Sequence, residues 1–254
     1  MEVKLFASVI VRNELHRYLE ACIGHLLEFC DEVRILDDGS TDGWQEALHG
    51  VWGKDGRRVL AKLRARGGDE PFLTHAAARN ELLQFTLDGW PSHVLSIDAD
   101  EFVSDGQLVR QACATSGVAW SLEMCEVWEA CEERLCVRED GRWGAHPVAM
   151  LWKPDMANRK QLVIRDRGTA TGRTPDFQPR VPAAPTGAAV FHFGWARESE
   201  RAARFERYRG VNDGHARAHV QSIMWPPSRV RLEGWAWPET MDGLKATLLE
   251  KTTA

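Results

Sequence analysis

Short apolar runs alternate with longer amphipathic segments through the first hundred residues of the chain. The runs have the length of buried strands, and the longer segments have the apolar spacing of helices with one buried face. Strands are predicted at four places: 6–11, 33–36, 58–63 and 94–97. Helices are predicted at 14–29, 44–48 and 74–87, the last with Thr74 as its N-cap. This alternation predicts a mainly parallel sheet with helices on both faces.

The pattern changes after residue 117. Shorter strand-like runs predict a smaller mixed or antiparallel extension of the sheet, and two helix-like segments follow the last of them. The predicted strands are 118–127, 133–137, 148–152 and 188–193, and the predicted helices are 198–209 and 239–249.

Segment 165–187 has little apolar content and is rich in Pro, Gly, Thr and Arg, which predicts a long loop. Six basic residues stand in or just before it, against only Asp166 and Asp176: Arg159, Lys160, Arg165, Arg167, Arg173 and Arg180. Two interpretations stay open. The segment is either an ordinary solvated loop or a mobile lid that closes over an anionic ligand.

Composition bounds the class of protein. The 254 residues are 44% hydrophobic and 27% charged, as in ordinary globular proteins, and a net charge of −5 argues against a general nucleic-acid binder. No run approaches the roughly 18 apolar residues of a membrane span, and the N-terminus lacks a signal-peptide pattern, so a cytoplasmic location is expected. The six cysteines form no C-x-x-C pair and are expected to be free, buried thiols. A zinc site is the alternative, with no ligand spacing in its favour.

Three acidic residues, Asp98, Asp100 and Glu101, follow the apolar run 94–97. Ligands of open α/β sheets bind beyond the carboxyl ends of the strands, and the hard cations that neutralise phosphates bind carboxylate oxygens. The segment therefore predicts a site for a cation or a polar ligand at the tip of this strand. Acidic residues also cap helices and form turns, which is the alternative for the motif taken alone.

Other polar residues are predicted to lie near the same edge. Asp37 and Asp38 end the second strand, where they could accept hydrogen bonds from a ribose or a base edge. Arg79 and Asn80 lie in the second turn of a helix, after small residues that allow a close approach. His192 stands between two phenylalanines and could complete the coordination that Asp98 and Asp100 begin, because neutral imidazole is a common metal ligand. A structural role is the alternative for each of these residues.

Together and in this order, five motifs resemble those of the family 2 glycosyltransferases of the GT-A fold. They are Val-Arg-Asn-Glu at 11–14, Asp-Asp-Gly-Ser-Thr-Asp at 37–42, Ala-Arg-Asn at 78–80, Asp-Ala-Asp-Glu at 98–101 and His-Phe-Gly-Trp at 192–195. The resemblance implies a GT-A type, Rossmann-like α/β fold. It also implies an enzyme that uses Mn²⁺ or Mg²⁺ to move a hexose-like sugar from a nucleotide-diphospho-sugar, with a UDP-sugar expected, to an acceptor hydroxyl with inversion.

The same resemblance implies a division of the chain. Residues 1–197 would form the catalytic domain, with 1–117 as its nucleotide-binding half and 118–197 as its acceptor-side half. Residues 198–254 would form a C-terminal helical extension.

The resemblance also implies roles for individual residues. Donor contacts are expected from Val11, Arg12, Asn13, Glu14, Asp37, Asp38, Arg79, Asn80, Asp98 and Ala99. Asn13, Glu14 and the two aspartates at 37 and 38 would face the nucleoside, and Arg79 and Asn80 would face the nucleotide or its phosphates. The implied metal ligands are Asp98, Asp100 and His192, with a contact of Asp98 to the ribose, or of His192 to the diphosphate, as the alternatives.

An inverting transfer needs a general base to activate the acceptor hydroxyl. No Glu-Asp pair follows the Asp-x-Asp motif. Four acids could serve as the base, Glu123, Glu126, Glu129 and Asp155, of which Glu126 is the first choice and Asp155 the second. The acceptor stays open among a saccharide, a lipid-linked glycan, a protein side chain and a modified nucleic-acid base, and the arginine-rich loop favours an anionic one.

Two other functions are compatible with the sequence. A nucleotidyltransferase is disfavoured because no glycine-rich phosphate loop follows the first strand. A nucleotide-sugar-binding module without activity is the non-enzymatic alternative, because the base is not obvious.

Overall fold

A computed structural model of the chain describes residues 2–48, 58–64, 75–140, 143–167, 170–176, 183–209, 220–225 and 229–253. The chain divides into two compact units. The first consists of Met1–Ala99, Asp105–Leu122 and Val148–Ala188, and the second of Asp100–Ser104, Glu123–Pro147 and Ala189–Ala254. Both units draw on the segment 1–197, and the division at residue 197 stays a prediction.

The core of the first unit contains five neighbouring strands. They are Leu5–Val11 (β1), Glu32–Asp37 (β2), Arg58–Leu63 (β3), His93–Asp98 (β4) and the end of His146–Trp152 (β8). Their order is β8-β4-β1-β2-β3. Strands β1 to β4 are parallel to one another, and β8 is antiparallel to β4. β1, β2 and β4 are buried over nearly their whole length, as parallel strands covered on both faces are. The predicted α/β class with a mainly parallel sheet is confirmed.

Four α-helices lie among the described residues of the first unit. They are Leu19–Phe29 (α1), Trp44–Leu48 (α2), His75–Leu87 (α3) and Gly106–Cys113 (α4). α3 packs on β1 and β2, and α1 packs on β2 and α4. Leu36 of β2 packs against Ala78 and Leu82 of α3, and each large apolar side chain buried in this way contributes about 1.5–3 kcal/mol.

The boundaries of two helices differ from the prediction. α1 begins at Leu19, not at Glu14, because Leu15 N donates a hydrogen bond to Asp42 and Asn13 adopts a left-handed φ of 57°, so the segment before α1 is held in a turn. The sequence pattern missed α4, whose N-cap Asp105 accepts hydrogen bonds from the backbone of the first turn. Thr74, the predicted cap of α3, lies outside the described residues.

The prediction of one long loop at 165–187 is wrong in part. Asp166–Arg167 (β9) and Ala170–Thr171 (β10) pair as a short antiparallel ribbon, and Ala184–His192 (β11) begins four residues before the strand predicted at 188. Residues 168, 169 and 177–182 lie outside the described part, so the lid stays a prediction.

The second unit is antiparallel where its strand pairs are described. It contains Glu101–Val103 (β5), Leu135–Arg138 (β7), Leu232–Trp235 (β12) and the ends of Ala119–Ala130 (β6) and β11. β7 pairs with β6 and β12, and β5 pairs with β11. Three helical segments follow among the described residues: Glu198–Tyr208 (α5), residues 220–223, and Asp242–Thr253 (α6), which is preceded by the 3-10 turn Glu239–Met241. α5 and α6 lie close to their predicted positions.

Tryptophans and arginines form the core of the second unit. Trp128, Trp143 and Trp195 pack edge to face in sequence, with centroids 5.2 and 4.9 Å apart. The guanidinium of Arg138 is fully buried against Trp128 and Trp143. Its Nε and Nη2 donate to the two carboxylate oxygens of Asp140 at 2.7 and 2.8 Å. A buried charge is tolerated here because it is paired and hydrogen-bonded, so this core holds the surrounding strands in one arrangement.

Two further predictions concern the state of the cysteines and the presence of membrane-spanning helices. The six cysteines are free, as predicted, and five of them are buried, also as predicted; Cys131 is exposed, so the prediction of burial is wrong for this residue. None of the helices among the described residues is long and apolar enough to cross a membrane.

The buried histidine at the start of β4 makes the stability of the first unit depend on pH. Burial, and next the charge of Lys153, lowers the pKa of His93 from 6.5 to about 4. Between pH 4 and pH 6.5, His93 therefore binds a proton in the unfolded chain but not in the folded chain. Stability is complete above pH 6.5 and falls by about 3 kcal/mol as the pH drops to 4. Urea unfolding of His93→Phe should lack this loss, and exposed His16→Gln should keep it; equal slopes in parent and His93→Phe would contradict the assignment.

Candidate functional site

The loops after β1 and β2 are joined by side-chain hydrogen bonds. Asn13 N donates to Ser40 Oγ at 3.0 Å, and Asn13 Oδ1 accepts from Thr41 N at 2.7 Å. Asn13 can serve both partners because asparagine tolerates the left-handed backbone that the turn requires. The two motifs that sequence analysis placed at this edge, 11–14 and 37–42, are therefore brought together by the fold.

Asp37 has its carboxylate engaged within its own turn. Oδ1 accepts from Ser40 N at 2.7 Å, and Oδ2 accepts from Trp44 Nε1 at 3.0 Å and Gln45 Nε2 at 2.9 Å. These contacts hold α2 against the end of β2. They favour the structural interpretation of Asp37, and its contact with a nucleoside stays a prediction.

Asp38 is buried and forms an ion pair with Arg64, at 2.7 Å between Oδ1 and Nη1. Arg64 follows the end of β3, and its backbone N donates to Asp37 O at 2.8 Å. Arg64 also lies 3.5 Å from Glu81 of α3. The carboxyl edge of β2 and β3 therefore presents a paired acid and base, and the sequence pattern did not point to Arg64.

Asp98, at the end of β4, is paired with two arginines. Arg79 Nη2 donates to Oδ1 at 2.6 Å, and Arg173 Nη2 lies 3.1 Å from Oδ2. Arg79 is only 8% exposed, and its Nε and Nη1 have no hydrogen-bond partner among the described residues. A buried guanidinium with two nitrogens that lack a hydrogen-bond partner is costly, so Arg79 is suited to receive oxygen atoms of an anionic ligand.

Asn80, the neighbour of Arg79, makes structural contacts. Its Nδ2 donates to the carbonyls of Ala76 and Ile164 at 2.7 Å, and its Oδ1 accepts from Ile164 N at 2.8 Å. The side chain thereby ties α3 to the segment that leads into β9. Its predicted donor contact stays a prediction.

The remaining donor residues implied by the resemblance lie around these turns. Val11 is buried at the end of β1, and Ala99 is buried directly after β4. Glu14 pairs with Arg17 at 2.6 Å, and Arg12 is half-buried.

A second cluster lies in the second unit and contains Glu126, His192, Asp100 and Arg204. His192 Nδ1 is 2.6 Å from Glu126 Oε2, and His192 Nε2 is 3.5 Å from Asp100 Oδ1. Arg204 of α5 donates to Asp100 Oδ2 at 2.8 Å. The cluster therefore joins two acidic and two basic side chains from four places in the chain: β6, the end of β11, the residue before β5, and α5. The sequence predicted Asp100 and His192 as partners but not the contact with Glu126.

Electrostatics set the protonation of this cluster. Burial alone would lower the pKa of His192, but the charges of Glu126 and Asp100 and their hydrogen bonds raise it well above its ordinary value. Burial alone would likewise raise the pKa of Glu126, but the charge and hydrogen bond of His192 lower it. In the absence of a ligand the pair is therefore an imidazolium and a carboxylate at neutral pH.

Gly194 lies directly against the ends of these side chains. A β-carbon at position 194 would lie 2.5 Å from His192 Nε2 and 2.6 Å from Asp100 Oδ2, and it would also overlap Arg204 Nη2. Arg204 is held in place by stacking on Trp195, with 4.6 Å between the guanidinium carbon and the ring centroid. Glycine at this position therefore lets all three side-chain ends pack closely against the backbone.

The cluster fits a divalent cation in part. Two donors that share a small cation at about 2.1 Å each lie about 3–3.5 Å apart, which is the separation of His192 Nε2 from Asp100 Oδ1. Among the described residues no group of three or more His, Cys, Asp or Glu side chains is arranged to hold a metal. A cation here would therefore take most of its ligands from water or a bound molecule, as Mg²⁺ commonly does.

The two candidate bases both have other partners. Glu126 is held by His192, as described above. Asp155 caps the 3-10 helix Met156–Gln161, accepting from Ala157 N and Asn158 N, and its hydrogen bond with the Asn158 amide lowers its pKa. The role of either residue as a base stays a prediction.

Comparisons with known proteins give matches only among solved structures. No family model matches the chain, and no curated protein matches it. S. aureus TarS (residues 1–349) is 12% identical, with 87% of this chain and 69% of that chain covered and a TM-score of 0.44. HddC from Yersinia pseudotuberculosis is 11% identical, with 82% and 100% covered and a TM-score of 0.46; it has also been solved with GMP-PN.

A third solved structure matches over a shorter span. Glucosyl-3-phosphoglycerate synthase from Mycobacterium tuberculosis, in complex with UDP, is 16% identical, with 51% of this chain and 46% of that chain covered and a TM-score of 0.31. Similarity at these levels does not identify the reaction, the donor or the acceptor of the present chain.

Proposed function

We propose that this chain is a metal-dependent glycosyltransferase that uses a nucleotide-diphospho-sugar, with a UDP-sugar as the expected donor. The observation that carries the proposal is the pairing of Asp98 with Arg79 and Arg173 at the carboxyl end of β4. This is the edge of an open α/β sheet at which ligands bind. The order of the motifs in the sequence supports the same function.

The arginines give the first unit the chemistry to bind a diphosphate. Guanidinium groups suit phosphate oxygens because they offer paired N–H donors in one plane. A diphosphate would compete with Asp98 for Arg79 and Arg173, and it would satisfy the N–H groups of Arg79 that have no partner among the described residues. Asp98 would then be released to serve as the ligand of a cation or of the ribose.

The second unit offers Asp100 and His192 as the residues that would hold Mn²⁺ or Mg²⁺. A bound cation would supply Lewis-acid stabilisation of the charge that develops on the leaving nucleoside diphosphate. To ligate it, His192 must give up the proton at Nε2, and Arg204 neutralises part of the charge on Asp100 when no cation is bound. Glu126 and Asp155 remain the predicted bases for an acceptor hydroxyl, and an anionic acceptor remains the expectation.

A nucleotide-sugar-binding module without activity is the second candidate. The observation that favours it is the engagement of both predicted bases with other groups, Glu126 with His192 and Asp155 with its own helix N-terminus. Release of free nucleoside diphosphate from UDP-sugars in the presence of Mn²⁺ would distinguish the enzyme from the module.

A thermal-shift screen tests the proposed donor class. A ligand that binds only the folded state raises the apparent stability by RT ln(1 + [L]/Kd), or about 2.7 kcal/mol at a concentration of 100 Kd. We expect UDP with Mn²⁺ to raise the melting temperature more than UDP or Mn²⁺ alone, and more than ADP, CDP or GDP with Mn²⁺. Equal shifts for all nucleotides would remove the uridine assignment, and no shift with any of them would contradict the function.

A further inference from the structure

Glu126 differs from the other acids of its strand. Glu123 and Glu129, three residues to either side on β6, are exposed, whereas the Glu126 side chain is 15% exposed and lies 2.6 Å from His192 Nδ1. Placing a carboxylate in a partly buried position is costly unless it is paired and hydrogen-bonded. The imidazole of His192 is the partner that offsets this cost.

The hydrogen bond fixes which ring nitrogen faces Asp100. Because Nδ1 is bound to Glu126, Nε2 is the nitrogen that faces Asp100, 3.5 Å from Oδ1, and it packs against Gly194. A histidine that presents one nitrogen to a ligand commonly donates its other N–H to a carboxylate, which orients the ring.

We propose that Glu126 is a positioning residue that acts through His192, holding the imidazole with Nε2 turned toward Asp100. The group that Nε2 and Asp100 would bind together, a divalent cation, rests on the proposed function; the orientation of the ring does not. The role differs from that of a general base. A base needs a free lone pair for the acceptor hydroxyl and must accept a proton, whereas positioning needs only a hydrogen-bond acceptor.

Imidazole nitrogen NMR tests the orientation on the full chain without ligand. His192→Ala identifies the His192 resonances in protein labelled with ¹⁵N-histidine. We expect a hydrogen-bonded Nδ1–H in the parent, in the control Glu123→Ala, and in Glu126→Gln, whose amide oxygen also accepts. Glu126→Ala should lose this resonance pattern. An unchanged Nδ1 resonance in Glu126→Ala would overturn the proposal.

Mn²⁺ titration followed by electron paramagnetic resonance tests the consequence. Loss of a carboxylate that orients a metal-binding histidine typically lowers affinity about 10–100-fold, and we expect this for Glu126→Ala, with a smaller loss for Glu126→Gln and none for Glu123→Ala. Equal Mn²⁺ affinity in all four proteins would contradict a positioning role. If the parent binds no Mn²⁺ while the Nδ1 resonance still depends on Glu126, the cation of the proposed function fails and the positioning of the ring stands.

Discussion

Replacing Arg79 with methionine is expected to weaken the binding of UDP about tenfold to a hundredfold and to leave the protein folded. Each hydrogen bond between a charged donor and a phosphate oxygen is worth about 1.5–3 kcal/mol, and Nε and Nη1 of Arg79 have no partner among the described residues. Methionine keeps much of the length and apolar surface of the side chain while removing every donor.

Stability should change little in this variant. Arg79 is buried with part of its hydrogen-bonding capacity unmet, so its removal relieves a desolvation cost. Asp98 keeps Arg173 as a partner and is 28% exposed, so that it is not left as an isolated buried charge. Arg110→Met is the matched control, because Arg110 forms a partly exposed ion pair with Asp31. UDP affinity equal in Arg79→Met and Arg110→Met would show that Arg79 is structural.

Replacing Gly194 with alanine is expected to abolish the cation site, lowering Mn²⁺ affinity at least about tenfold, within the range that follows loss of support for a metal-binding histidine. The added methyl group would overlap His192 Nε2, Asp100 Oδ2 and Arg204 Nη2. All three atoms are at the ends of side chains, which can move aside, so the fold should persist while the arrangement is displaced. Isothermal calorimetry with Mn²⁺ measures the effect.

Gly24→Ala provides the control for the Gly194 variant. Gly24 is an exposed glycine in α1, and a β-carbon there would meet nothing within 4 Å. Alanine should raise the stability by up to about 1 kcal/mol through helix propensity and leave Mn²⁺ binding unchanged. Mn²⁺ affinity in Gly194→Ala equal to that of the parent would mean that His192 and Asp100 are not where a cation binds.

Much of the first unit could be predicted because its strands are short, apolar and separated by amphipathic helices. β1, β2, β3 and β4 lie within one residue of their predicted ends at almost every boundary, since burial on both faces leaves a continuous apolar run. α4 was missed because the segment Ser104-Asp105-Gly106 resembles a turn, and the helix that follows has only eight residues. Asp105 was the one available signal, as an N-cap.

The side-chain partners at the candidate site could not be predicted. Glu126 and His192 are 66 residues apart, and Arg204 lies 104 residues from Asp100, so no local spacing connects them. Asp37 shows a different difficulty. Its place at a strand end suggested a ligand contact, but its carboxylate accepts hydrogen bonds from Trp44 and Gln45 of the helix that follows. Strand ends reveal where polar groups gather, and only the tertiary structure reveals which of them are already paired.

The central claim is that the chain binds a nucleoside diphosphate together with a divalent cation. Calorimetric titration of UDP into the parent and into Asp100→Asn, each with and without Mn²⁺, tests it most directly. Asparagine keeps the size of Asp100 and removes the charge that a cation requires. We predict UDP binding to the parent that is strengthened by Mn²⁺, and no strengthening in Asp100→Asn. UDP affinity that is the same with and without Mn²⁺ in both proteins, or no UDP binding to the parent, would contradict the claim.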